Sequence, residues 1–97
     1  MPSSLKNYAA FRAALDGAIL KTAGIAGEYP DDRAIASILG QMQQLKDWTE
    51  NETVPTQGQK DALNFGALAS RNLDDIDGDL VQSICEVASY VIYWPES

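Results

Sequence analysis

Four aspartates fall within six residues: Asp74, Asp75, Asp77 and Asp79. Carboxylates this dense can hold a cation, receive arginine or lysine from a partner, or stabilise the positive end of a helix. A calcium loop wants acids at its odd early positions, glycine at the sixth and glutamate at the twelfth. Placing Gly78 at the sixth puts Leu73 first and Ile84 twelfth, so the calcium pattern fails at both ends. Two readings stay open, an acidic turn that leads into a helix and a docking site for a basic partner.

A second group closes the chain: Glu86, then Tyr90, Tyr93 and Trp94. Aromatic side chains with polar tips serve as interface anchors, and they also close the ends of cores. Cys85 is the single cysteine, which excludes an intrachain disulfide and a cysteine-based zinc site. It follows the apolar Ile84, and no basic residue comes after Arg71 to lower its pKa. There is no histidine, so the commonest general base and transition-metal ligand is missing. No phosphate-binding glycine motif is present. No catalytic residue is assigned, and neither a metal nor a cofactor is expected.

Charge is the strongest signal. Fourteen acids oppose seven bases, giving a net charge of −7. Met1 to Trp48 balances five acids with five bases, whereas Thr49 to Ser97 holds nine acids and two bases. The excess therefore belongs to one half. Phosphate recognition and attachment to anionic lipid both need basic patches, so neither nucleic acid nor membrane is the expected partner. An acidic face suits a basic protein.

The elements that must position these groups are helical. Ninety-seven residues allow one domain. The spacing predicts a first helix over Leu5–Ala26, capped by Ser3 or Ser4; Leu5, Tyr8, Phe11 or Arg12, Leu15, Ile19 and Thr22 follow its steps, with Leu5, Tyr8, Leu15 and Ile19 as the apolar stripe. Tyr29-Pro30 stops it. A second helix is predicted over Asp31–Glu50, with Gln41, Gln43, Gln44 and Asp47 on a wet face. Asn51–Gly58 reads as a loop. A third helix is predicted over Gln59–Leu73, and Gly66, Ala69 and Ser70 on it would let a neighbour approach closely. The last helix begins at Gly78 or Asp79, ends at Tyr93 and is stopped by Pro95. The expected core is Leu15, Ile19, Ile35, Leu39, Met42, Leu45, Leu63, Leu68, Leu80, Ile84, Val87 and Val91. The fold class is all-α, a four-helix bundle with antiparallel neighbours.

Three segments carry a resemblance. Tyr29-Pro30 precedes the Ile/Leu/Gln-rich run Ile38 to Leu45. Leu63-Asn64-Phe65-Gly66-Ala67-Leu68-Ala69 fits a Leu-x-x-Gly-x-x-Ala segment. Asp77-Gly78-Asp79-Leu80 then opens a helix that ends in tyrosine. Over residues 29–93 the chain resembles small, all-helical type VI secretion immunity proteins that neutralise NAD(P)-degrading effectors. It departs from their pattern at Arg71-Asn72 and in the longer Asn51–Gly58 loop.

The resemblance implies a bacterial, cytoplasmic, stoichiometric inhibitor that binds a cognate toxin domain and blocks its active site. The residues expected to face that partner are Asp74, Asp75, Asp77, Asp79 and Glu86, with Tyr90, Tyr93 and Trp94 as aromatic anchors. The alternative is a helical adaptor or homodimeric assembly module, joined through apolar surface around Phe65 and Trp94.

Overall fold

The computed structural model describes residues 5–94, so the serines expected to cap the first helix and the proline expected to stop the last lie outside the described residues. Five α-helices follow one another: α1 (Tyr8–Glu28), α2 (Arg33–Trp48), α3 (Gln57–Ala62), α4 (Phe65–Asn72) and α5 (Gly78–Tyr93). No strand occurs among the described residues. α1, α2, α4 and α5 form a ring in which each packs on two neighbours, and α3 is a short helix in the connection.

Side-chain pairings set the directions. Arg12, early in α1, donates to the carbonyl of Lys46, late in α2, at 2.9 Å. Phe11 stacks on Tyr90, late in α5, at 4.6 Å. Ser70, late in α4, meets Cys85 of α5 at 3.6 Å. Each of these neighbours therefore runs antiparallel, and α4 must also run against α2. The result is an all-α, up-down-up-down bundle.

Local chemistry explains the helix ends. Asn7 caps α1 by accepting the N–H of Ala10 at 2.9 Å. Asp32 caps α2, accepting from Ala34 and Ile35 at 2.9 and 3.1 Å. At the other end of α2, Tyr8 donates its hydroxyl to the Thr49 carbonyl at 2.7 Å. Arg12 also donates to Thr49 Oγ1 at 3.2 Å. These groups satisfy carbonyls that a helix C-terminus leaves orphaned, and the guanidinium suits its negative end. Asn51 and Glu52, with φ of 58° and 61°, then turn the chain through the left-handed region.

The third helix expected over Gln59–Leu73 is two helices. A capping box at Thr56 starts α3 at Gln57, inside the segment read as loop. The break at Leu63-Asn64 is held by α2. Gln41 Nε2 donates to Asn64 Oδ1 at 2.6 Å, and the Asn64 backbone N–H donates to Gln41 Oε1 at 2.7 Å. Gln41, read as part of a wet face, is thus a half-buried link between elements.

The core runs along the axis. Leu15, Ile35, Met42, Leu45, Ile84 and Val87 are fully buried, joined by Phe11, Ile38 and Leu73. Each such side chain contributes about 1.5–3 kcal/mol relative to exposure. Ile19, Leu39, Leu63 and Leu68, expected in the core, are only half-buried. α1 turns Phe11, Leu15, Ala18 and Thr22 inward. Leu5, Tyr8 and Ile19 of the expected stripe are half-buried and pack against this core.

Candidate protein-binding surface

The acidic turn is built on Leu73, which is buried while its carbonyl accepts the N–H groups of Ile76 and Asp77 at 2.9 and 2.8 Å. That closure leaves Asp74 and Asp75 exposed. Asp77 is committed to structure, because its carboxylate accepts the Leu80 N–H at 3.0 Å and caps α5. Asp79, exposed in the first turn of α5, sits at the positive end of the helix dipole. The reading of an acidic turn that leads into a helix has its physical counterpart here. Asp77 serves the helix, and three carboxylates face solvent. Among the described residues no cluster of acids, cysteine or histidine is arranged to hold a metal.

The aromatic group lies elsewhere. Tyr90 is 5% and Trp94 8% exposed. Trp94 packs against Tyr90, Tyr8 and Phe11 with ring centres 5.3, 5.9 and 5.6 Å apart. Both residues close one end of the core, the second of the two readings their sequence allowed. Burial, then the nearby Glu52 carboxylate and Tyr8, push the Tyr90 phenol above its ordinary range. Tyr93 is 40% exposed and Glu86 half-buried.

The structure does not bring the expected partner-facing residues together. Asp79 and Tyr93 mark opposite ends of α5, about 21 Å apart at helical rise. Phe65 and Trp94 are themselves buried, at 2% and 8% exposed, and the exposed apolar side chain beside Phe65 is Ile92, at 64%. Two surface hollows of ≈ 250 and ≈ 340 Å³ lie between α5 and its neighbours. Neither is lined by a carboxylate.

Sequence reasoning missed part of the acidic end. In the antiparallel ring, the α1–α2 connection arrives at the same end as the α4–α5 turn. It brings exposed Glu28, Tyr29 and Asp31. From sequence this segment reads as a helix stop followed by a cap at Asp31 or Asp32, and Asp32 is the cap, while the charge of its acids is balanced in the count by the bases of the first half.

The bundle presents most of its exposed connection carboxylates at one end. The sequence model of Tsi6, a type VI secretion immunity family, matches residues 10–93. The chain belongs to the Tsi6 family. Among curated proteins and solved structures, no match is found. Membership in the Tsi6 family implies an immunity role and a cognate effector protein as partner. Among the described residues no helix is long and apolar enough to cross a membrane.

Proposed function

We propose that this chain inhibits its cognate effector by binding it through the acidic end of the bundle. The effector is an NAD(P)-degrading enzyme, in keeping with the resemblance in the sequence, and the encounter takes place in the cytoplasm of the producing cell. The observation that supports this reading most directly is the α4–α5 turn. Buried Leu73 anchors it, and Asp74, Asp75 and Asp79 are held in solvent at the positive end of α5. An enzyme that binds a dinucleotide phosphate presents cationic groups to it. An acidic surface can occupy that cleft, steer the encounter and exclude the substrate. Glu86 and Tyr93 extend the contact along α5 on this reading.

Asp74 and Asp75 make the clean test, because Asp77 caps α5 and its reversal would also damage the helix. Asp74→Lys with Asp75→Lys should weaken effector binding at least tenfold at low salt while the helical signal and melting temperature stay unchanged. The wild-type affinity should itself fall as salt is raised. Binding that ignores both the reversal and the salt would place the interface elsewhere.

A further inference from the structure

α1 outruns the helix beside it. The stack of Phe11 on Tyr90 sets the two helices level at one end. From there α1 continues for 17 residues to Glu28 and α5 for 12 to Gly78. At 1.5 Å per residue, α1 reaches about 8 Å farther. Burial agrees, because Thr22 is the last buried residue of α1. Beyond it Ile25 and Ala26 are half-buried, and Tyr29 is 46% exposed. The shorter neighbour ends in the α4–α5 turn, where Ile76 is 41% exposed. The step carries apolar side chains at an end where five acids, Glu28, Asp31, Asp74, Asp75 and Asp79, and two bases, Arg33 and Arg71, are exposed.

Exposed apolar groups at an end where carboxylates outnumber the two arginines, Arg33 and Arg71, describe a protein-binding surface better than a solubility surface. We propose that this step, with Tyr29 and Ile76 as its apolar contacts, seats an apolar side chain that projects from a lysine- or arginine-rich surface of the effector. The inference rests on the effector-binding reading above and adds the α1–α2 connection to its interface. The occupant follows from charge complementarity, since the exposed carboxylates at this end outnumber its exposed arginines. Cations around that group are attracted and anions repelled.

The test uses the full chain and the protein encoded by the neighbouring reading frame, with the dissociation constant measured by calorimetry. Tyr29→Ser and Ile76→Ser should each weaken binding tenfold or more, and Tyr29→Phe should bind like wild type. Leu20→Ser is the control, because Leu20 is 76% exposed midway along α1. It should change nothing. The Tyr29 backbone makes the turn contacts, with Ile25 and Asp32, so its side chain can be changed without breaking the turn. Binding within twofold of wild type for both serine variants, while the Asp74 and Asp75 reversal weakens it, overturns the step and leaves the acidic interface standing. Equal losses in Leu20→Ser overturn it too. Wild-type protein that does not bind at all overturns both.

Discussion

Thr22 is fully buried on the core face of α1, and among the described residues its hydroxyl has no hydrogen-bond partner. Removing a polar group from water without a partner costs about 1–3 kcal/mol. Valine has nearly the same shape and no such group. Thr22→Val should therefore raise stability by about 1–2 kcal/mol, read as a higher denaturant midpoint with an unchanged slope. At the same scale, the aspartates divide by task. Asp32 and Asp77 each accept backbone N–H groups at a helix start. Asp74 and Asp75 have no such structural task. The sequence points to Asp77 or Asp79 at the helix start, and the turn closed by Leu73 makes Asp77 the cap.

Packing of α4 on α5 depends on a missing side chain. A Cβ built on Gly66 would lie 3.1 Å from the Cβ of Ala88. That carbon is fixed to the α5 backbone and cannot rotate aside, so the helices themselves must separate. Gly66→Ala should cost about 1 kcal/mol, because overpacking outweighs its gain in helix propensity. In an Ala88→Gly background the same change should stabilise, and a double-mutant cycle would measure the coupling. The close approach at Gly66 was legible from the small residues on one helix face. The break at Leu63-Asn64 was not, because its cause is Gln41, more than twenty residues away and indistinguishable by type from Gln43 and Gln44. The inward face of α1 was also hard to read. Its alanines and glycines give little contrast between sides, so the spacing leaves Phe11 and Arg12 as alternatives and does not mark Ala18 as buried.

At the scale of the molecule, the all-α class and the antiparallel order followed from periodicity and short connections. Charge asymmetry was visible as a division between halves of the chain. Folding turns it into a division between ends, because the ring brings the α1–α2 and α4–α5 connections to the same end of the bundle. That step needs the directions of the helices, which no local pattern contains. It also separates Tyr93 from the acidic turn and adds Tyr29 to it. The account as a whole claims that this surface serves immunity, and one growth experiment bears on that most directly. The protein encoded by the neighbouring reading frame is expressed in a bacterial host with and without this chain. The account predicts arrest and a fall in NAD(P) when it is expressed alone, and normal growth when both are present. No arrest, or an arrest that this chain fails to relieve, would contradict it.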